Sequence, residues 1–443
     1  MFGTSGIRGI YGRDITESLA GRVSSVFSQD RMVIGRDIRE SGPSLFDAAS
    51  MGAMRAGCDV ISLGIVPTPT VALATKKHGC RGIMLTASHN PPQYNGLKLM
   101  QDGKEIGKGM EREVTEAYNA WSGPRSRGDG RSGGSLFHDT GIVGDHKDLI
   151  VDIVDAGIIG RKRPKVIVDC NGAASAITPY MLSDLGCQVV SLNASEYCFN
   201  RPSEPKEDSL PYLGELVRRS RADFAIAHDG DGDRCIIFDD QGSALPFDVQ
   251  LAMMIGHELD RAGKNRRVVS TVEASLTIRD VVEGKGGKIE ITPVGSTFVG
   301  DEMERSGALF GGEPCGEYIY GAGVHVPDAV LAAAKFAEMF CAGGKLSRAR
   351  EGYARNFMAR ERFPVSDKLK AIGLIKGMVE IEGKVRSDDG IRVDEEDGWF
   401  LIRASGTEPI IRLTMEYKRG EKLEERKAAL VALIRKAISR TQA

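Results

Sequence analysis

Three times along this chain, strand, helix, strand, helix and strand follow one another with short connections, and each time the third strand runs into a polar, glycine-rich loop. The first stretch has strands at 32–35, 59–63 and 82–85 and helices at 45–57 and 70–78; it delivers Thr86-Ala87-Ser88-His89-Asn90-Pro91. The second has strands at 165–169, 188–192 and 224–227 and helices at 178–185 and 212–219; it delivers His228-Asp229-Gly230-Asp231-Gly232-Asp233-Arg234. The third has strands at 267–271 and 288–292, a short apolar run at 308–310, and helices at 275–283 and 297–305; it delivers Gly311-Gly312-Glu313-Pro314-Cys315-Gly316-Glu317. This order predicts parallel sheets joined by crossover helices. Open sheets of that kind place ligands beyond the carboxyl ends of their strands, so the three loops are expected to face one cleft.

A chain of 443 residues exceeds what a single core supports. After Ala359 the pattern changes: runs at 360–365, 384–393 and 399–403 read as strands, and 422–439 as a charged amphipathic helix. The expected fold class is α/β, with three similar domains of mixed, mostly parallel sheets and a smaller C-terminal α+β domain around a central cleft. The boundaries fall at 1–145 for the Ser88 loop, 146–243 for the aspartate loop, 244–356 for the Glu313 loop and 357–443 for the last unit. Residues 122–134, rich in Gly, Ser and Arg, read as a solvated loop.

The aspartate loop is the sharpest chemical signal. Asp229, Asp231 and Asp233 alternate with glycines, so their carboxylates share one side of an extended backbone that can wrap closely around an ion. Oxygen-only donors suit Mg²⁺, which keeps positions for water or a phosphate oxygen. An EF-hand also opens D-x-D-x-D, but it needs Gly at its sixth position and Glu at its twelfth, where this chain has Arg234 and Asp240. Ser88 has no G-x-S-x-G elbow around it, and no partner pattern for a hydrolase triad exists. As a phosphoryl carrier beside a metal it makes chemical sense. Glu313, behind two glycines, offers a carboxylate to sugar hydroxyls. Arg403-Ala404-Ser405-Gly406-Thr407 offers a guanidinium, two hydroxyls and open backbone, a set that matches a phosphate dianion.

Composition removes several other classes. The net charge of −2 gives no basic footprint for nucleic acid, and no apolar stretch reaches the length of a membrane span. The N-terminus enters a polar, glycine-rich motif directly, without the order of a secretory signal. Eight scattered cysteines with no C-x-x-C pair favour a reducing cytoplasm. No P-loop or sound dinucleotide fingerprint occurs, so nucleotide use is not indicated.

Together with Phe2-Gly3-Thr4-Ser5-Gly6-Ile7-Arg8-Gly9, these motifs resemble, in order and over essentially the whole chain, the α-D-phosphohexomutase superfamily. The resemblance implies four domains around a cleft and the exchange of hexose 6-phosphate with hexose 1-phosphate through a sugar bisphosphate. It implies that Ser88 carries the phosphoryl group and that Asp229, Asp231 and Asp233, with the serine oxygen, bind one Mg²⁺. Arg8, His89 and Lys98 (in Asn95-Gly96-Leu97-Lys98) then join the catalytic set; Arg234, Glu313, Cys315, Arg403, Ser405, Gly406 and Thr407 hold the substrate. A hexose 1,6-bisphosphate is the implied activator and small sugar phosphates are the implied partners, with neither nucleic acid nor membrane, for a cytoplasmic monomer or homodimer. The N-terminal motif resembles phosphoglucosamine mutases most, which puts glucosamine phosphate ahead of mannose and glucose phosphates. A silent sugar-phosphate binder and a magnesium phosphatase are the alternatives; the intact serine and aspartates argue against the first, and release of free phosphate distinguishes the second. One departure stands out. Many bacterial members end the sugar loop Gly-Glu-x-Ser-Gly-His, whereas Cys315 and Glu317 occupy the serine and histidine positions here. Glu317 is expected either to meet an amine-bearing sugar or to be solvated.

Overall fold

The computed structural model describes residues 1–3, 5–123, 133–353, 356–379, 383–405 and 409–442. Thr4, Gly406, Thr407 and residues 124–132 of the predicted solvated loop lie outside the described residues.

The first unit holds a sheet in which Arg31–Arg36, Asp59–Ile65 and Arg81–Leu85 run parallel, with helices Gly42–Arg55 and Thr68–His78 as the crossovers. The second unit repeats the layout with Lys165–Asp169, Gln188–Leu192 and Phe224–His228. The third repeats it with Arg267–Thr271, Lys288–Thr292 and Phe310–Glu313. Local sequence explains the ends of the helices. Ser275 accepts from the Ile278 amide and Asp328 from the Leu331 amide at helix starts, while Gly79 and Gly307 close helices with φ of 57° and 65°.

Each chemistry-bearing loop proves to be the turn of a hairpin. The chain leaves the third parallel strand and returns antiparallel beside it, as Tyr94–Gln101, Cys235–Phe238 and Glu317–Tyr320 in the three units. These return strands are what make the sheets mixed. The first places Lys98 opposite Met84, four residues before Ser88. Two hydrogen-bonded strands therefore brace each loop, which holds its side chains more firmly than a free connection does.

The last unit is a five-stranded antiparallel sheet in the order Phe357–Pro364, Ile410–Tyr417, Gly398–Ala404, Ile391–Asp394, Lys384–Arg386, packed against helices Lys368–Met378 and Gly420–Gln442. The single strand expected over 384–393 is two strands. Between them the chain turns, and Gly390 takes a φ of 87°, a conformation a pleated strand cannot contain. Among the described residues no helix is long and apolar enough to cross a membrane, and all the cysteines are free thiols.

One apolar core runs through the second and third units and surrounds the helix Ala329–Gly343. Inside that helix Glu338, with its side chain 1% exposed, accepts from the Asp155 amide at 2.6 Å and pairs with His257 and Arg261, each at 2.9 Å. Burial pushes its carboxyl up, but the His257 bond, the Lys335 charge and the Asp155 amide outweigh burial and hold it at about 2. A depressed carboxyl contributes stability that is complete above its unfolded value of 4.5 and is lost as pH falls toward 2. Glu338→Gln is therefore expected to cost about 2 kcal/mol at neutral pH. In urea melts the gap from wild type should shrink steadily below about pH 4.5; a gap that is constant with pH contradicts it.

Candidate active site

Ser88 occupies the hairpin turn with a φ of 49°, a left-handed conformation that a non-glycine residue keeps only when its surroundings enforce it. The surroundings do. The Thr86 hydroxyl accepts the Ser88 amide at 2.8 Å and donates to Asp37 at 2.7 Å. Asp37 pairs with Arg39 at 2.9 Å, both side chains wholly buried. The Arg39 guanidinium donates to the carbonyls of Ser88, Asn90, Pro91 and Tyr94 at 2.7, 2.9, 2.7 and 2.8 Å. Sequence reasoning passed over Arg39, although Arg36-Asp37-Ile38-Arg39 lies at the carboxyl end of a strand, where site residues gather. An ammonium cannot span those carbonyls. Arg39→Lys is expected to lower kcat on the order of 100-fold by misplacing Ser88, while metal affinity stays unchanged. A kcat within about twofold of wild type contradicts this.

The aspartate loop lies against this turn. A Cβ at Gly230 would come within 2.8 Å of the Ser88 carbonyl oxygen, so only glycine allows the approach. The Ser88 hydroxyl donates to Asp229 at 2.7 Å and lies 3.4 Å from Asp233. Asp231 accepts from the Thr68 hydroxyl at 2.6 Å, and Lys98 Nζ sits 2.9 Å from Asp231 and 2.5 Å from Asp233. All of these side chains are buried.

This concentration of charge is unbalanced in the protein alone. Burial, then the Asp233 and Asp231 charges, push Asp229 well above the carboxylate range; burial and Asp231 likewise raise Asp233. Asp231 alone is held low, because Lys98 and Thr68 outweigh its burial. One oxygen from each carboxylate lies within 4.8 Å of the others, and Asp231 Oδ1 is buried with no hydrogen-bond partner among the described residues. An orphaned buried oxygen, three mutually repelling carboxylates and oxygen-only donors fit a hard divalent cation.

His89 Nδ1 is 3.3 Å from the Ser88 hydroxyl. The Arg234 charge, then burial and the Arg8 charge, pull its imidazole down to about 2, so it is neutral at physiological pH. Lys98 is the opposite case: burial would lower it, but Asp231 and Asp233 hold it as an ammonium. Arg8 donates to Ser5, which donates in turn to buried Glu105 at 2.9 Å.

The sugar loop joins through Arg234. Its Nε donates to Glu317 Oε1 at 2.8 Å, Nη2 lies 2.6 Å from the same oxygen as an ion pair, and the two residues form a backbone bridge. Glu317 is thus buried and paired, which overturns its expected solvation: the hairpin return aims it at the aspartate loop. Glu313 accepts from the Gly295 amide at 3.1 Å. Burial and the Glu317 charge push its carboxyl well above the usual range. Cys315 stays a neutral thiol, raised first by burial. The structure does not bring Arg403 into this cluster. Its guanidinium faces Asp389 at 2.9 Å and Glu273 of the third unit at 3.9 Å, and Lys368, absent from the sequence-based set, donates to the Ser405 carbonyl at 2.6 Å.

Comparison with known proteins places this arrangement. The sequence matches family profiles described as phosphoglucomutase/phosphomannomutase, alpha/beta/alpha domains I, II and III, over residues 1–124, 146–242 and 248–356, and the C-terminal domain over 361–433. It is 38% identical over 434 residues, 96% of each chain, to a Methanosarcina acetivorans protein named "Probable phosphoglucosamine mutase". Its fold is similar to that of a phosphoglucomutase/phosphomannomutase family protein from Burkholderia thailandensis, with a TM-score of 0.87 at 23% identity, covering 98% of this chain and 97% of that one. The N-acetylphosphoglucosamine mutase of Aspergillus fumigatus, solved with GlcNAc-6P and magnesium, aligns with a TM-score of 0.61 at 15% identity over 99% and 96% of the two chains.

Proposed function

This chain belongs to the α-D-phosphohexomutase superfamily, and from that premise we propose that it converts glucosamine 6-phosphate to glucosamine 1-phosphate through a phosphoserine at Ser88 and a sugar bisphosphate. The observation that carries the reading is the Ser88 hydroxyl turned onto Asp229 at 2.7 Å, at the edge of a buried carboxylate cluster. A binding protein needs no such pairing. The sugar follows from the N-terminal motif and from the names of the relatives; mannose and glucose phosphates are the competing substrates.

In the first transfer the bond from phosphorus to Ser88 Oγ breaks as a bond to a sugar hydroxyl oxygen forms. The hydroxyl loses its proton and Ser88 Oγ regains one. His89 lies 3.3 Å from Oγ, beside the oxygen that regains the proton, while Lys98 remains an ammonium and offsets charge on the phosphoryl oxygens. The bisphosphate then reorients and returns its other phosphoryl group to Ser88. Asp229, Asp231 and Asp233, with the serine-borne oxygen, would hold one Mg²⁺, which when bound supplies the positive charge that phosphoryl transfer requires. Arg8 and Arg234 flank the transferring group, Glu313 and Cys315 meet the sugar, and Arg403 with Ser405, Gly406 and Thr407 takes the idle phosphate. A hexose 1,6-bisphosphate primes Ser88, and the reaction runs in the cytoplasm.

The test is a coupled assay on glucosamine, glucose and mannose phosphates with Mg²⁺ and a bisphosphate activator, read together with inorganic phosphate. Turnover highest on glucosamine phosphate with no phosphate released supports the reading. Stoichiometric phosphate release makes the protein a phosphatase, and binding without turnover makes it a silent receptor.

A further inference from the structure

The pairing of Arg234 with Glu317 is lopsided. Both contacts come from the Nε–Nη2 side of the guanidinium and converge on one glutamate oxygen. The Glu317 side chain is 6% exposed and the Arg234 side chain 21%, so the pair is sealed on its glutamate side and open on its guanidinium side. Nη1 has no protein partner among the described residues. The backbone reinforces this: the Arg234–Glu317 bridge and the Cys235 amide bonded to the Gly316 carbonyl at 3.1 Å tie the two loops together. Gly316 makes that tie possible, since its φ is 89° and a Cβ there would fall 2.4 Å from the Cys235 carbonyl oxygen.

Arginine carries two usable forks, one side-on through Nε and Nη2 and one end-on through Nη1 and Nη2. Here the first is occupied. We propose that Glu317 is a positioning residue that holds Arg234 side-on, leaving its end-on fork oriented toward the Ser88–His89 side of the cleft to take phosphoryl oxygens of the sugar phosphate. The backbone placement agrees: the Arg234 amide donates to Asp229 Oδ1 at 3.1 Å, and the other oxygen of that carboxylate accepts from the Ser88 hydroxyl at 2.7 Å. A long arginine ordered before the ligand arrives spares the ligand the cost of ordering it. The effect falls on binding more than on chemistry, because a fork that grips the phosphate equally in ground and transition states is uniform binding.

This inference rests on the sugar-phosphate mutase reading, and the experiment separates the two. Glu317→Ala is expected to raise KM for glucosamine 6-phosphate about fivefold to tenfold, the effect of freeing one rotamer-rich side chain, with kcat within about threefold of wild type. Glu317→Gln, whose amide oxygen can accept the same Nε–H, should keep KM within about threefold. In an Arg234→Ala background, Glu317→Ala should add nothing further to KM. Dissociation constants for glucosamine 6-phosphate, measured by calorimetry, should follow the same pattern. Costs that multiply in the double variant, an unchanged KM in Glu317→Ala, or a kcat loss as large as the KM change would each overturn the positioning role. Wild-type protein that binds glucosamine 6-phosphate without turning it over would instead defeat the mutase reading and leave the Arg234–Glu317 coupling to be read from the binding constants.

Discussion

Ser88→Ala is expected to lower mutase turnover by roughly 10⁴-fold or more, because among the described residues no other hydroxyl donates to Asp229. The aspartate cluster directs this expectation to one oxygen: the Ser88 hydroxyl meets Asp229 at 2.7 Å, and Arg39 and Thr86 fix the backbone that carries it. Removing that oxygen leaves the turn intact, since the turn is held through the Ser88 amide and carbonyl rather than its side chain. Thermal stability should therefore change little, and sugar-phosphate binding should persist. Intact mass after incubation with a hexose 1,6-bisphosphate should show one added phosphate on wild type and none on the variant. Near-normal activity in the variant would assign the carrier elsewhere.

Asp231→Asn should have the next largest effect. Asp231 is the one member of the cluster held firmly as a carboxylate, by Lys98 and Thr68, and its second oxygen lacks a partner among the described residues. The amide loses that charge and can turn an N–H toward the Lys98 ammonium. Activity is expected to fall on the order of 10³-fold, and chelation of the wild-type protein should mimic the variant until Mg²⁺ is restored. Stability supplies a second, independent reading. A cation bound only by the folded protein adds about 2.7 kcal/mol at one hundred times its dissociation constant, so wild-type Tm should rise with Mg²⁺. In Asp231→Asn that rise should disappear. Without metal the variant should be less stable than wild type at neutral pH, because it loses the buried Lys98 ion pair that holds Asp231 charged. Full activity in the presence of a chelator contradicts the metal assignment.

Much of this was legible in the sequence because parallel α/β units obey a strong positional rule: the apolar third strands end where the polar loops begin, and the loops that matter sit at that point. The return strands were not legible. Tyr94–Gln101 carries a glycine and a lysine among its apolar residues, and Cys235–Phe238 is too short to show a period. Lys98 could therefore be placed only by resemblance, although the hairpin is what brings it to Asp231 and Asp233. Arg39 and Thr68 act through contacts across the first unit or between units, which no local pattern encodes. Glu317, open in the sequence between an amine-bearing sugar and solvent, could not be given its Arg234 partner for a related reason: the pairing exists only once the two loops are side by side. In the last unit the strand Ile410–Tyr417 does carry a strand period, Ile411, Leu413, Met415 and Tyr417 alternating with Arg412, Thr414 and Glu416, and it adds to the strands expected there.

The phosphoryl group itself provides the most direct test. Protein labelled with radioactive phosphate on Ser88 is mixed with unlabelled glucosamine 6-phosphate and Mg²⁺, and the label is followed through a single turnover. The expected result is loss of label from the protein with its quantitative appearance in sugar phosphates, bisphosphate first, and none as inorganic phosphate. Label that stays on the protein, or that leaves as inorganic phosphate, contradicts a mutase that works through Ser88.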